Sequence, residues 1–242
     1  IYRSADGGRT WVQAAGAGSL PRGGEQAIHQ LRQAGEGGAL FAGLSDGVWN
    51  SQDSGRTWRR LGGPAPARAL ALSPDFARER RLYASGQVST DGGEQWTPLA
   101  GPVAAYPWSA VAISASFAQD GLIFAALDIP EEDRSANPWP LWRSSDRGQS
   151  WEAVQVPVLR GTPIHGLATV AAGADPLRIV AATARGLVLS SDAGKTWSKP
   201  AGLPNQAFHG VAAQALTQPF TTAVIVAAGE AGVYWSINRG TT

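Results

Sequence analysis

Apolar residues along this chain come in short runs, some alternating with polar neighbours and some continuous, and nearly every run is bounded by Gly, Pro, Asp or Ser. Blocks of this kind read as β-strands, half-buried where they alternate and fully buried where they do not. One group covers 27–32, 67–73, 109–114, 164–170 and 208–213, and a second covers 39–43, 81–84, 122–126, 178–182 and 223–228. A third group comprises Ile1-Tyr2-Arg3, Gly47-Val48-Trp49-Asn50, Leu141-Trp142-Arg143, Gly186-Leu187-Val188-Leu189 and Gly232-Val233-Tyr234-Trp235. No segment sustains the apolar spacing of an amphipathic helix against this density of Gly, Pro and β-branched residues, so the pattern predicts an all-β chain without helices.

Each member of the third group runs into the same octapeptide. It reads Ser4-Ala-Asp6-Gly-Gly8-Arg-Thr10-Trp11, then Ser51-Gln-Asp53-Ser-Gly55-Arg-Thr57-Trp58, and then Ser89-Thr-Asp91-Gly-Gly93-Glu-Gln-Trp96. It returns as Ser144-Ser-Asp146-Arg-Gly148-Gln-Ser150-Trp151 and Ser190-Ser-Asp192-Ala-Gly194-Lys-Thr196-Trp197. A partial sixth copy, Ser236-Ile-Asn238-Arg-Gly240-Thr-Thr242, carries the amide in place of the acid. Physical logic accounts for the octapeptide without any ligand. Aspartate in a tight turn accepts bonds from nearby backbone N–H groups, serine ties the two arms, and glycine supplies a positive φ. The terminal tryptophan starts the next strand and is expected to bury its ring between sheets. A second echo, Leu72-Ser-Pro-Asp-Phe76 against Ile113-Ser-Ala-Ser-Phe117, independently marks the repeat.

The pattern Ser-x-Asp-x-Gly-x-Thr-Trp resembles the Asp-box, or BNR repeat, of sialidases, sortilin-type receptors, xyloglucanases and photosystem II assembly factors. The resemblance implies a β-propeller of four-stranded antiparallel blades, with each Asp-box joining the third and fourth strands. First serines lie 47, 38, 55, 46 and 46 residues apart, which suits such blades. The expectation is a single propeller domain over 1–242, with boxes at 4–11, 51–58, 89–96, 144–151, 190–197 and, in part, 236–242. The third strand is represented at both ends of the chain, so either one copy is spare or the chain is an arc of a six- or seven-bladed ring. The arc is the favoured reading. It agrees with a chain that starts at Ile1 with no methionine or signal-like segment, as a mature or excised part of a longer product would.

Composition narrows the function classes. Basic residues number 20 and acidic ones 19, for a net charge of +1, which leaves no electrostatic footprint for nucleic acid. No apolar run approaches the roughly 20 residues of a membrane span. Without cysteine there is no disulfide, thiolate metal site or cysteine nucleophile. Arginine far outnumbers lysine, present only as Lys195 and Lys199, but Arg9, Arg56 and Arg147 occupy variable box positions and read as solvated turn residues.

The irregular repeat is the place to look for a ligand. Propeller topology puts the loops between second and third strands, and those entering first strands, on the face opposite the boxes. The long insertion there is Asp128-Ile-Pro-Glu131-Glu132-Asp133-Arg134-Ser-Ala-Asn-Pro-Trp139-Pro140, and Tyr106-Pro-Trp108 leads into the first strand of the same repeat. Rings beside carboxylates suit a glycan or peptide. The candidate binding residues are therefore Tyr106, Trp108, Glu131, Glu132, Asp133, Arg134 and Trp139, against the plainer reading of a solvated surface excursion. His29, His165 and His209 recur at the entry to first strands. Repetition alone produces that pattern, so no metal and no cofactor are assigned. Catalysis of the sialidase kind implies an Arg-Ile-Pro element, which is absent, and a glycosidase needs two facing carboxylates. Outside the boxes the main candidates are Asp46, Asp128, Glu131, Glu132, Asp133 and Asp175, with no pair standing out. The reading is a non-catalytic scaffold binding a protein or glycan partner, extracytoplasmic by resemblance, with a glycoside hydrolase as the alternative.

Overall fold

The computed structural model describes residues 2–13, 15–16, 28–35, 38–171, 176–216, 222–238 and 240. The expected strand ends Ile1 and Ala27, the candidate carboxylate Asp175, and Arg239, Thr241 and Thr242 of the partial box lie outside them. The chain forms two compact units, Ile1–Leu99 and Ala100–Thr242. Among the described residues no helix is long and apolar enough to cross a membrane.

In the first unit, Tyr2–Arg3 and Val12–Gln13 form a two-stranded sheet. A second sheet runs antiparallel through Ile28–Gln33, Leu40–Leu44, Gly47–Ser51 and Thr57–Gly62, and Ala15–Gly16 lies parallel along its outer edge at Thr57 and Trp58. The third contains Leu70–Leu72, Leu82–Ala84, Gln87–Ser89 and Thr97–Pro98. Phe41 and Val48 of one sheet pack on Leu70 and Leu82 of the next, and Gln30 Oε1 accepts a bond from the Leu70 N–H at 2.7 Å.

The second unit repeats the design. Its sheets are Trp108–Ile113, Ile123–Leu127, Leu141–Ser144 and Glu152–Ala153; then Ile164–Val170, Arg178–Thr183 and Gly186–Ser190; then Phe208–Leu216, Thr222–Gly229 and Gly232–Ser236. The fourth strand of the middle sheet is reduced to a bridge between Leu189 and Ser198. Phe124, Leu141, Ile164 and Ile179 share one core, and Val180, Leu187, Phe208 and Ile225 another, so apolar faces of consecutive sheets close on each other.

The octapeptides are the hairpin tips, and they repeat one hydrogen-bond scheme. In each complete copy the serine Oγ donates to the aspartate Oδ1 at 2.7–2.8 Å and accepts the N–H of the second glycine position at 2.8 Å. Thr10, Thr57, Ser150 and Thr196 donate both N–H and hydroxyl to the same carboxylate, while Gln95 gives Asp91 only its N–H. The partial copy keeps the scheme through Ser236, Asn238 and Gly240. Two consecutive residues take positive φ. The first tolerates Ser54, Arg147 or Ala193, but the second is always glycine. At Gly194 a Cβ would lie 2.7 Å from the Phe124 ring, so the position excludes a side chain on two grounds.

Two expectations need correction, and a third feature was not foreseen. First, single-turn helices do occur, at Phe76–Glu79, Pro102–Ala105 and Phe117–Asp120, with 3-10 turns at Glu131–Asp133 and Pro157–Leu159. One turn is too short to carry a period, so the pattern could not show them. Second, ring burial varies. Trp58 is 2% exposed, whereas Trp96, Trp151 and Trp197 are half-buried and Trp11 is exposed. In those four the indole Nε1 donates to the box glycine carbonyl at 3.0–3.1 Å, which ties the ring to the rim of its own hairpin; buried Trp58 lacks that bond. Third, strands entering at Ile28, Trp108, Ile164 and Phe208 are bulged at their second residue, which alternation alone does not reveal.

Truncating Trp58 to alanine should cost about 3–5 kcal/mol, measured by denaturant unfolding, because a buried ring leaves a cavity. The boxes also set an acid limit. Hydrogen bonds from Thr10 hold Asp6 at about 2 and those from Ser150 hold Asp146 at about 2, against 3.8 ordinarily. Burial alone would raise Asp192, but bonds from Thr196 and Ser190 outweigh it and leave it at about 2. Depressed carboxylates contribute stability above the unfolded value and lose it as pH falls through the folded one. The melting temperature should therefore drop between about pH 4 and pH 2, and Asp146→Asn should flatten part of that drop.

Candidate functional site

The insertion in the longest repeat folds into a defined structure. After Ile123–Leu127 the chain makes a 3-10 turn at Glu131–Asp133 and returns at Leu141. Tyr106, from the segment entering the same sheet, fastens it. Its hydroxyl donates to Asp133 Oδ2 at 3.1 Å and accepts from Asn137 Nδ2 at 3.1 Å. Desolvation, and then the hydrogen bond to Asp133 and its charge, push the Tyr106 phenol above its ordinary value, so it stays protonated and able to donate. Arg134 turns inward, with Nε donating to the Ile129 carbonyl at 3.1 Å.

This folded insertion walls a cavity of about 230 Å³. Its polar lining comprises Ser109, Asp128, Arg134, Asn137, Thr162 and His165; proline rings, Ile129 and Ile164 supply apolar walls. Thr162 and His165 come from the segment that enters the neighbouring sheet, so two loops build the site. The bulges aim Ser109 and His165, since each is the unpaired second residue of its strand. His209 occupies the same bulge one sheet on, and its ring centroid lies 5.8 Å from that of His165. Desolvation, and then the neighbouring His209, lower His165 below its ordinary value, while Asp128 opposes the shift. Neutral imidazole is the resting form, a donor and an acceptor at once.

Of the seven expected binding residues, Arg134 lines the cavity. Asp133 is engaged with Tyr106 behind the wall, and Glu131 and Glu132 are exposed on the 3-10 turn. Trp139 is half-buried beneath the Arg160 guanidinium, 5.9 Å from its centroid, and its carbonyl accepts from Trp142 Nε1. Trp108 is a correction. Its ring is fully buried, edge-on to Trp151 at 5.9 Å, with Nε1 donating to the Val103 carbonyl at 2.7 Å. The strand's pleat turns it into the core, so it presents no stacking surface. Residues missed from sequence are Ser109, Asn137, Thr162 and the neighbouring prolines; the signal for Thr162 was its place in a loop entering a first strand, on the same face as the insertion.

The remaining candidates are dispersed or engaged. Asp46 accepts from Trp49 Nε1 at 2.9 Å and faces Arg60 Nε at 3.6 Å, which makes it a hairpin brace. His29, in the first unit, lies 3.4 Å from Ser45 Oγ. Among the described residues no group of three or more His, Asp or Glu is placed to hold a metal ion.

The BNR-Asp box repeat family matches residues 141–154, the fourth box with its flanking strands. No curated protein matches the chain in sequence. Among solved structures it is similar to an ancestral GH74 enzyme (TM-score 0.62, 17% identity, covering 88% of this chain and 31% of that one). It is similar also to YCF48 from Cyanidioschyzon merolae (TM-score 0.63, 16% identity, 100% of this chain and 77% of that one). A third is the computationally designed Ika8 protein (TM-score 0.55, 12% identity, 89% and 59%). The chain thus spans under a third of the GH74 enzyme, and at these identities the likeness is one of fold.

Replacing Tyr106 by phenylalanine removes both bonds to the insertion. Amide exchange across 131–137 should quicken while far-UV circular dichroism stays unchanged; equal exchange rates would show that the tyrosine does not hold the loop.

Proposed function

With its Asp-box repeats and propeller-type fold, we propose that this chain is a non-catalytic scaffold that binds a protein or glycan partner through the cavity walled by the 128–140 insertion. The observation that carries the reading is the set of charges in the cavity. Among its described lining residues the carboxylate is Asp128 alone, and the guanidinium of Arg134 lines the same cavity. Hydrolysis of a glycosidic bond by the usual route takes two carboxylates some 5 to 9 Å apart. Of the next acids along, Glu131 and Glu132 are exposed on the 3-10 turn, and Asp133 is bonded to Tyr106 and serves the wall.

Size supports binding as well. At about 230 Å³ the space lies below the range of roughly 300–1,000 Å³ typical of sites for free small molecules. It suits a single polar group protruding from a larger partner, which Asp128, Arg134, Asn137 and neutral His165 would orient. An extracytoplasmic setting follows from the family resemblance and belongs to the same proposal. So does a single propeller domain over the whole chain.

The alternative, a glycoside hydrolase or part of one, rests on the fold likeness to a GH74 enzyme. A polysaccharide panel separates the two. The scaffold reading expects retention of a partner without release of reducing sugar, and retention weakened roughly tenfold or more by Arg134→Ala or Asp128→Asn. Reducing-sugar release that Asp128→Asn abolishes would replace it with the hydrolase.

A further inference from the structure

A second cavity, of about 230 Å³, lies in the first unit at the box end of two consecutive sheets. Phe41, Asn50 and Arg59 sit directly opposite one another on three adjacent strands, so they form one row across their sheet and share a face. Phe41 packs on Leu70 and Leu82, so that face is the one turned to the next sheet. The next sheet contributes Phe76 and Arg80, from its single-turn helix and the cap of that helix, and Glu94 from its box. Phe41 and Phe76 meet edge-on at 5.0 Å and make the floor apolar.

In the second unit the same row is closed. Its residues are Phe124, Arg143 and Glu152, and the Arg143 guanidinium donates to Glu152 beside it. In the first unit the middle residue is the shorter Asn50, and Arg59 reaches away to Glu94, with Nη2 donating to Oε1 at 2.5 Å. Asn50 is left over. It is 6% exposed and lines the cavity, and none of the described residues hydrogen-bonds its side-chain amide. Buried amides are nearly always bonded, because a bare one loses its hydration without return.

Arg80 also departs from its counterpart. It caps the helical turn at a φ of 49°, whereas the matching turn at Phe117–Asp120 is capped by Gly121 at 59°. A left-handed conformation strains a residue that carries a side chain. Gly92 makes room for the guanidinium, since a Cβ there would lie 2.7 Å from Arg80 Nη2. That nitrogen donates to the Asp91 carbonyl at 2.7 Å and holds the group at the cavity wall, while Nε and Nη1 have no acceptor among the described residues.

We propose that this cavity binds a carboxylate, which Arg80 pairs and to which the Asn50 amide donates. Its lining charges are Arg59, Arg80 and Glu94, and because Arg59 and Glu94 pair with each other, one positive charge is left over. A carboxylate balances that charge, whereas the second charge of a phosphate would be left without a partner. The planar guanidinium matches the two oxygens of a carboxylate as well. An acidic side chain of a partner protein or a small free acid offers the same group. The site is independent of the cavity at 128–140.

NMR of the Asn50 side-chain amide tests this, with sodium acetate, acetyl-Gly-Glu-Gly-amide, its Gln counterpart and sodium phosphate added at matched ionic strength. Acetate and the Glu peptide should shift the resonance saturably, and the Gln peptide and phosphate should bind about tenfold more weakly or worse. A Glu peptide that binds about tenfold tighter than acetate assigns the carboxylate to a partner chain, and equal affinities assign it to a free acid. Arg80→Gly introduces the residue of the matching turn, so it should melt no lower than wild type while weakening acetate about tenfold. Asn50→Leu, after Leu189 in the matching place before Ser190, should abolish the acetate-induced shift of the Arg80 Nε resonance. Arg80→Gly protein that binds acetate as well as wild type overturns the proposal. So does an Asn50 amide that no carboxylate shifts, the result expected if water alone meets it, or one that phosphate shifts at lower concentration than acetate.

Discussion

The structure depends on one small hydrogen-bonded knot. A serine at the end of the third strand donates to an aspartate two residues on and accepts the N–H of a glycine four residues on, within 0.1 Å of the same distances in every complete copy. The serine is buried at Ser51, Ser89, Ser144 and Ser190. A hydroxyl there without partners would be costly, and so would the inward-turned glycine N–H. Satisfying both at once fixes the turn, and the turn fixes the register of third and fourth strands. With register set, alternate side chains fall on opposite faces, and consecutive sheets present apolar surfaces to each other.

That knot is local in sequence, which is why so much of the architecture is legible without coordinates. First-strand and second-strand blocks such as 164–170 and 178–182 match observed strands to within a residue, because an apolar run bounded by turn residues directly reflects a buried strand. What stays hidden depends on contacts between repeats or on deviations of a single residue. Trp58 and Trp151 end copies of the same motif, yet one ring is buried and the other tied to its own hairpin, and Ala15–Gly16 lies alongside the first. The bulges at Ser109, His165, His209 and His29 are likewise silent in sequence, although they decide where those side chains point.

The cavity shows the same division. Its insertion was visible as surplus length in one repeat, and Arg134 within it reaches the lining. Asp128 lines it too, but the remaining aromatic and acidic residues that made the loop look like a binding groove go elsewhere: Tyr106 and Asp133 pin the loop, Trp139 backs it, Glu131 and Glu132 are exposed on its turn, and Trp108 belongs to the core. Composition reports which chemistry a loop contains, whereas hydrogen-bond geometry decides which of it remains for a partner.

A repeat architecture separates these roles more sharply than most folds. Every position shared by the copies is explained by closing a hairpin or packing one sheet on the next, so shared positions carry no information about ligands. The histidines illustrate this, since recurrence put them at equivalent bulges, and it is His165, where two loops of unequal length meet, that lines the described cavity. Specific function in such a chain must reside where the repeat is broken. The break described here is an insertion that adds a polar pocket. Charges placed in such a pocket give selectivity more than raw affinity, and here they stand where no repeat constraint put them.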